Sequence, residues 1–132
     1  MRTLLYLWAA PASAVGLVLT LAARAAGARM RVIDGTLEVA GGGIGPAIAR
    51  LPRRLQFHAI TLGHVIIGVD EARLAACRAH ERVHVRQYER WGVLFFTLYL
   101  GSSVVQLLRR RDPYWDNHFE RQARQLSDGA VR

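Results

Sequence analysis

The sequence predicts an α+β fold made of an N-terminal apolar transmembrane helix, a small antiparallel β-sheet and a helical core of about three helices. Three observations support this prediction. The amino-terminal stretch is uncharged, the middle of the chain is rich in glycine and β-branched residues, and the second half has helical periodicity. At 132 residues the chain has room for one globular domain. We therefore predict a membrane anchor or signal segment over residues 1–28 and a folded domain over residues 29–132.

The positive charge of the chain comes from arginine alone. Eighteen arginines and no lysines stand against ten acidic residues, which gives a net charge of +8. Such an excess favours an anionic partner, either a membrane surface or nucleic acid. The single cysteine, Cys77, excludes an intramolecular disulfide and a zinc site made of cysteines.

An uncharged segment runs from Thr3 to Ala23. At 1.5 Å rise per residue, about twenty residues can cross a hydrocarbon core of roughly 30 Å. The segment is longer than the apolar region of a usual signal peptide, so we interpret it as a retained single-pass anchor in which Pro11 kinks or breaks the helix. The arginines that follow it then place the domain, with any catalytic side, in the cytoplasm. The alternative is cleavage near Ala23, which would leave the domain secreted or periplasmic.

Two stretches predict β-structure. Met30 to Ala40 contains Asp34-Gly35 between β-branched runs, which is a strong signal for a two-residue hairpin turn. The apolar run from Phe57 to Val69 predicts a single strand that joins the hairpin in the antiparallel sheet. The glycine-rich loop between them lacks the lysine and hydroxyl residues of a phosphate-binding loop, so nucleotide binding is not expected.

The residues that can carry chemistry lie in a predicted helix from about Glu71 to Trp91, with Asp70 as its N-cap. A His-Glu-x-x-His motif within it places His80 and His84 one turn apart on one face. Two imidazoles at this spacing can share one Zn²⁺ ion, and Glu81 borders the side at which water would be activated. The motif therefore predicts zinc ligands at His80 and His84 and a general base at Glu81.

Arginines follow one another at every fourth position on the opposite side of this helix. They are Arg78, Arg82, Arg86 and Arg90. A charge row at this spacing usually marks a solvated helix back, with the arginines near acids such as Glu89. Contact with lipid headgroups is the second interpretation, favoured by the upstream anchor, and nucleic-acid binding is the third. We expect membrane lipid as a partner and no nucleic acid.

A second uncharged stretch runs from Val93 to Leu108. If it crossed the bilayer, the motif helix and the tail would lie on opposite sides, and no residue of the tail could reach the metal. We therefore predict a helix that packs in the core or lies partly in the membrane interface. Asp112-Pro113 predicts the start of the last helix, because proline suits the first helical turn.

A catalytic zinc site needs three protein ligands and leaves the fourth position to water. The tail offers Asp116, His118 and Glu120. Histidine is the commoner ligand in general, but His118 and Glu120 on one helix point about 200° apart, so only one of them can face the metal. The spacing by itself leaves the third ligand open.

The segments HERVHVRQYERWG and DNHFERQA resemble a family of small bacterial membrane proteins with a zincin-like core. The second segment is similar to the glutamate helix of the gluzincin metallopeptidases, which implies that Glu120 is the third zinc ligand. Ala123 matches the small residue at which two helices touch in that class. The TLGHVIIG strand and the N-terminal apolar helix are similar as well, so the resemblance covers nearly the whole chain.

The resemblance implies a zincin-like helical core, a Zn²⁺ cofactor and metallopeptidase-like hydrolysis of a peptide or protein substrate, with Glu81 as general base. The chain departs from ordinary gluzincins because it is short and has no evident second lobe to form a substrate cleft. The alternative is a non-catalytic, zinc-stabilised membrane module with a structural or interaction role, since a small domain gains much stability from a metal.

Other residues are candidates for supporting roles. Gln87 lies one turn past His84 on the same face, so we expect it to hold that ligand in place. Candidate donors to a developing oxyanion, or contacts to substrate, are Tyr88, Tyr99, Tyr114 and His64. His64 lies in mid-strand, where the resemblance implies an edge that pairs with an extended substrate, and the alternative is a half-buried strand histidine. The oligomeric state is not specified by the sequence.

Overall fold

A four-stranded mixed sheet, packed between helices, organises the chain in a computed structural model. The structure describes residues 1–131, and the side chains of residues 1–128. The helices are α1 (Arg2–Trp8), α2 (Ala10–Ala25), α3 (Ile44–Ala49), α4 (Glu71–Trp91), α5 (Phe95–Leu108) and α6 (His118–Val131). The strands are β1 (Arg29–Ile33), β2 (Thr36–Ala40), β3 (Ala59–Leu62) and β4 (Val65–Gly68). The predicted α+β class is confirmed.

The sheet has the order β1-β2-β4-β3, and its topology differs from the predicted one. The β1–β2 hairpin is confirmed, because Asp34 and Gly35 both have positive φ, at 49° and 80°. The single strand predicted from Phe57 to Val69 is wrong. Gly63, with φ of 63°, and His64 instead form a turn between the antiparallel strands β3 and β4.

The purely antiparallel arrangement is also wrong, because β2 and β4 pair in parallel, with Leu37 opposite Val65. Strand β4 lies between two other strands and is buried along its whole length, so its apolar side chains serve both faces of the sheet. A continuous apolar run is what such a central strand requires, and it hid the turn that divides the segment.

Helix α2 covers one face of the sheet, and α4 covers the other. On the α2 side, Gly16 lies so close to β4 that a Cβ on it would come within 2.7 Å of the Val65 Cβ. Ala23 and Val65 share a buried cluster there with Val39. On the α4 side, Ile66 packs with Leu74 and Val85. The predicted anchor segment, residues 1–28, therefore packs on the sheet of the folded domain.

The amino-terminal segment is broken, so the predicted single apolar helix from Thr3 to Ala23 is wrong. Helices α1 and α2 meet at Ala9 and are bent by 74°. Pro11 lies in the first turn of α2, where a proline costs no helical hydrogen bond. The break just before it agrees with the prediction that Pro11 kinks or breaks the helix. By length and composition, the bent pair together still reaches the size of a membrane span.

A 3₁₀ turn, Gly92–Leu94, joins α4 to α5. Gly92 has φ of 56°, and any side chain added to it would overlap the indole of Trp8. The helical stretch Glu71–Leu108 contains one window long and apolar enough to cross a membrane, and only 17% of that window is buried. It is the one unbent helical stretch with this property within residues 1–131.

Helix α5 buries only Phe95 among its residues, so this stretch packs against the core along one side, with Tyr99 beside Phe95, rather than within it. Phe96, Leu100 and Leu108 are exposed at 57%, 47% and 81%. A helix with this much uncovered apolar surface is expected at a membrane or a membrane interface, which was the other half of the prediction.

The last helix begins later than predicted, at His118 rather than at Asp112. Asp112 Oδ1 instead accepts hydrogen bonds from the backbone N–H groups of Tyr114 and Trp115, at 2.9 and 2.6 Å, and holds a turn. Asn117 caps α6 by accepting a 2.9 Å hydrogen bond from the Phe119 N–H. Glu120 consequently lies in the first turn of α6.

Candidate metal site

The predicted motif helix is confirmed as α4, and its N-cap is Asp70, whose Oδ1 accepts a 2.7 Å hydrogen bond from the Arg73 N–H. This helix packs along α6, with the fully buried Ala123 among the residues of α6. His84 is buried, and the His80 side chain keeps 20% of its surface exposed. The two imidazoles therefore face α6 from a site that solvent can still reach beside His80.

Three donor atoms from α4 and α6 converge on one point. His80 Nε2 lies 2.9 Å from Glu120 Oε2, and His84 Nε2 lies 3.3 Å from Glu120 Oε1. The two Nε2 atoms are 3.1 Å apart. Each residue offers one ligand atom, and all of these atoms lie within 4.8 Å of one another. The chain thus brings together two imidazoles and one carboxylate across two helices.

The size of this triangle suits zinc. Bonds of about 2.0 to 2.2 Å in a tetrahedron place the ligand atoms roughly 3.3 to 3.6 Å apart. The separations of 2.9, 3.1 and 3.3 Å are slightly smaller and need small outward shifts. Two histidines and a glutamate are also a donor set found in catalytic zinc sites, where a fourth position remains for water.

Gln87 fixes the orientation of His84. Its Oε1 accepts a 2.7 Å hydrogen bond from His84 Nδ1, while its Nε2 donates to the Phe119 carbonyl at 3.1 Å and to Gln122 Oε1 at 2.8 Å. Because the amide nitrogen is committed to α6, the amide oxygen must face His84. Nδ1 then carries a hydrogen, and Nε2 is the atom directed at Glu120 and His80, where it can hold a second proton or a metal ion.

Glu120 is also held by Tyr99, and Asn117 in turn fixes the backbone at Tyr99. Tyr99 on α5 donates a 2.6 Å hydrogen bond to its Oε1. Asn117, which is fully buried, caps α6 and donates from Nδ2 to the Tyr99 carbonyl at 2.9 Å and to Ser103 Oγ at 2.8 Å. The first turn of a helix also favours a negative charge through the helix dipole. The carboxylate is therefore fixed in place before any ligand arrives.

The ionisation of the cluster follows from this packing. Burial alone would raise the pKa of the Glu120 carboxyl, but hydrogen bonds from His80 and His84 outweigh it and hold the pKa well below its ordinary value of 4.5. Burial alone would lower the pKa of His84, but the Glu120 carboxylate raises it above its ordinary value of 6.5. The carboxylate is thus ionised, and the imidazole gains a partner for positive charge.

The competing third ligands lie elsewhere. His118 is exposed at the start of α6, and helical spacing points it about 200° away from Glu120. Asp116 accepts a 3.0 Å hydrogen bond at Oδ2 from the Asp112 N–H and belongs to the turn before α6. Of the three residues that the spacing left open, Glu120 alone joins the two motif histidines.

Glu81 lies next to the cluster but is not free. The residue is only 7% exposed, and its Oε2 accepts a 2.6 Å hydrogen bond from Thr61 Oγ1 on β3. The Thr61 hydroxyl also lies 3.3 Å from the Glu81 carbonyl oxygen. Strand β3 therefore positions the candidate base, a link between sheet and helix that the motif alone does not reveal.

The candidate oxyanion donors differ in position. Tyr88 is buried in an apolar cluster with Phe95 and Phe119. Tyr99 is committed to Glu120. Tyr114 is 54% exposed, and the burial of the rest of its surface, followed by the charges of Glu120 and Glu81, raises the pKa of its hydroxyl to about 12.

His64 lies in the β3–β4 turn and not in mid-strand, so the predicted placement on a strand edge is wrong. Its Nε2 is 2.9 Å from Glu89 Oε1, on the side of α4 opposite the motif. The edge strand on this side of the sheet is β3.

The arginine side of α4 is less solvated than predicted. Arg78 forms a two-pronged ion pair with Glu38 on β2, with Nε–Oε1 and Nη2–Oε2 distances of 2.9 Å each. Arg82 pairs with Asp34 in the hairpin turn at 2.9 Å. The carboxylates that pair with Arg78 and Arg82 therefore come from the β1–β2 hairpin rather than from Glu89, which pairs with His64.

Two supporting residues were not predicted from sequence, although one left a signal. Asn117 directly before an apolar helical repeat is a recognisable N-cap, and a later start for the last helix would have found it. Thr61 leaves no such signal, because its partner Glu81 is brought near only by the packing of β3 on α4.

No family model matches the chain, and no curated protein or solved structure is significantly similar to it. The resemblance to a zincin-like family accordingly stays a prediction.

Proposed function

We propose that this chain is a membrane-associated, zinc-dependent hydrolase of the metallopeptidase kind. The observation that carries the proposal is the convergence of His80, His84 and Glu120 on one point, with Glu81 next to them on the same helix. Two residues of one helix and one from a distant segment meet at separations that small outward shifts would bring to those of a tetrahedral zinc site.

The residues divide the work of hydrolysis in a simple way. A zinc ion bound by His80, His84 and Glu120 would supply a Lewis acid that makes water acidic near neutral pH. Glu81 accepts the proton of the attacking water and passes it to the leaving amine. Tyr114 is the remaining candidate tyrosine for stabilising the developing negative charge, because Tyr88 is buried in an apolar cluster and Tyr99 is committed to Glu120.

The position of strand β3 favours a peptide as the substrate. It is an edge strand, so its outer backbone groups are available to an extended chain. Thr61 on this strand contacts Glu81, and a peptide paired with β3 would pass close to the candidate base. This edge takes the role that the sequence had suggested for the strand around His64.

The membrane part of the proposal rests on apolar surface. Helix α5 is almost uncovered, and the bent pair of α1 and α2 is uncharged from Thr3 to Ala23. Arginines follow both α2 and α5, which favours a cytoplasmic position for the residues next to them.

The proposal is tested with Glu81→Gln. Purified wild-type protein is expected to carry about one zinc and to cleave members of a peptide library, measured by mass spectrometry of the products. The variant should keep its zinc and lose at least about a hundredfold in cleavage rate, because the general base is gone. Glu71→Gln, at the start of the same helix, is the matched control and should leave both properties unchanged.

The second candidate is a non-catalytic, zinc-stabilised membrane module, and the burial of Glu81 against Thr61 favours it. In that case zinc would hold α4 to α6, chelation would lower the melting temperature, and the wild type would cleave no peptide. Wild-type zinc content of one with no activity in the library would therefore overturn the hydrolase and support the module.

A further inference from the structure

A second site lies on the opposite side of α4 from the metal cluster. A groove of about 270 Å³ opens between α1, the β1–β2 turn, the β3–β4 turn and α4. We call it the arginine groove. The side chains that define it are Arg2, Tyr6, His64, Arg82, Arg86 and Glu89.

The groove has more positive than negative charge. Asp34 is occupied by Arg82 and Glu89 by His64, each at 2.9 Å. Arg2 and Arg86 have no carboxylate or hydrogen-bond partner among the side chains that the structure describes. Two guanidinium groups therefore face one concave space without an anion, and planar guanidinium groups are well suited to phosphate oxygens.

His64 adds an independent sign of a missing ligand. The residue is 6% exposed, and its Nδ1 is buried without any hydrogen-bond partner. Its other nitrogen is fixed by Glu89, and its ring lies against Tyr6 with centroids 4.2 Å apart. A buried ring nitrogen without a partner is unfavourable, and a hydroxyl group in the groove would satisfy it.

Helix α1 connects the groove to the membrane-facing surface. Arg2 and Tyr6 lie one helical turn apart and both line the groove. Leu4 and Leu7 lie on the other side of the helix and are exposed at 67% and 66%. A short helix with one polar and one apolar face is expected at the level of lipid headgroups.

We propose that the arginine groove binds the headgroup of an anionic phospholipid. The phosphodiester oxygens accept hydrogen bonds from Arg2 and Arg86, and a headgroup hydroxyl donates to His64 Nδ1. The acyl chains extend from the groove into the same apolar layer that the exposed leucines on the other side of α1 would enter. This binding is separate from the proposed hydrolase site and does not depend on it.

The test uses the full-length protein in a neutral detergent, with native mass spectrometry to count bound molecules. Dioctanoyl phosphatidylglycerol supplies a phosphodiester, hydroxyl groups and acyl chains. Dioctanoyl phosphatidylcholine lacks net charge and hydroxyls, and glycerol 1-phosphate lacks the chains. Arg86→Gln removes one guanidinium from the groove, and Arg90→Gln, one turn further along α4, is the matched control.

The wild type should bind one phosphatidylglycerol at least about tenfold more tightly than phosphatidylcholine or glycerol 1-phosphate, since charge-assisted hydrogen bonds and chain contacts act together. Arg86→Gln should weaken this binding about tenfold, and Arg90→Gln should not. Equal effects of the two variants would overturn the site. Equal binding of glycerol 1-phosphate would assign the groove to soluble phosphate esters and overturn the lipid.

Zinc content separates the two proposals. Arg86→Gln lies on the far side of α4 and should leave the metal unchanged, so a failed lipid assay says nothing against the hydrolase. Conversely, a protein without zinc can still show the arginine-dependent binding of phosphatidylglycerol.

Discussion

The two sides of α4 both bury polar groups, but they complete their interactions differently. On the arginine side, Arg78 meets a carboxylate of the sheet and Arg82 meets one in the β1–β2 turn, so these two charges are neutralised within the chain. On the metal side, the Nε2 atoms of His80 and His84 face each other at 3.1 Å. Two imidazole nitrogens can be joined only by a proton or by a cation. The two arginine pairs are complete within the chain itself, whereas the histidine pair is complete with a bound ion.

The largest expected effect is on the metal side. His84→Ala and Glu120→Ala should each reduce zinc from about one per chain to nearly none, because two ligands rarely hold zinc against water. Inductively coupled plasma mass spectrometry of the purified protein measures this. His118→Ala is the matched control on α6 and should retain the metal. Loss of zinc in that variant, with retention in Glu120→Ala, would exchange the roles of the two residues.

On the arginine side, breaking a buried pair should destabilise the fold. Glu38 is 1% exposed, and Glu38→Ala leaves Arg78 without its partner, at an expected cost of about 3 kcal/mol in the free energy of unfolding. Urea unfolding of the metal-free protein measures it. Combining Glu38→Met with Arg78→Met should recover most of the loss. If the single variant were as stable as the wild type, the pair would contribute nothing.

A smaller effect is expected where α6 supports the metal side. Gln87→Leu removes the group that fixes the tautomer of His84, and zinc affinity should fall about 10- to 100-fold. Competition with a zinc-binding dye measures the affinity. Gln122→Leu, which removes one partner of Gln87 but leaves its contact with Phe119, should cost less. If Gln122→Leu lowered the zinc affinity as much as Gln87→Leu, the contact between Gln87 and His84 would not be what sets the affinity.

The smallest effect is a change of stability with pH in the metal-free protein. His84 has a raised pKa, so its contribution is fully present below the ordinary value of 6.5 and is lost as the pH rises through the raised value. Glu120 has a lowered pKa, so its contribution is present above 4.5 and is lost as the pH falls through the lowered value. The melting temperature of the metal-free protein should therefore be highest between pH 4.5 and pH 6.5, where both contributions are present.

Metal reverses this preference on the metal side, because zinc competes with the proton on His84. With zinc present, the melting temperature should rise from pH 5.5 to pH 8, and without zinc it should fall by a few degrees. Glu120→Gln should remove both trends. An unchanged trend in that variant would locate the titrating groups elsewhere.

Local patterns predicted the parts of this fold that local chemistry controls. The Asp34-Gly35 turn and the helix after Asp70 are confirmed because each depends on a few adjacent residues. The His80 and His84 pair is likewise a property of helical spacing. In contrast, the parallel pairing of β2 and β4 joins residues far apart in sequence, and no local pattern specifies it.

Composition also failed to predict how the two apolar stretches pack. It did not distinguish a helix that packs on a sheet through Gly16 and Ala23 from one that leaves Phe96 and Leu100 exposed. Small residues at one face of α2 allow close contact with β4, whereas the large side chains of α5 have no such partner among the described elements. The position of small residues is therefore more informative than mean hydropathy.

The contact between Trp8 and Gly92 gives the amino terminus control over the joint between α4 and α5. The indole fills the space beside Gly92, the first residue of the 3₁₀ turn that joins these two helices. A change in the angle between α4 and α5 would therefore have to displace Trp8. Because this joint lies two turns past His84 and seven residues before Tyr99, such a change of angle would also move the Tyr99 hydroxyl that holds Glu120.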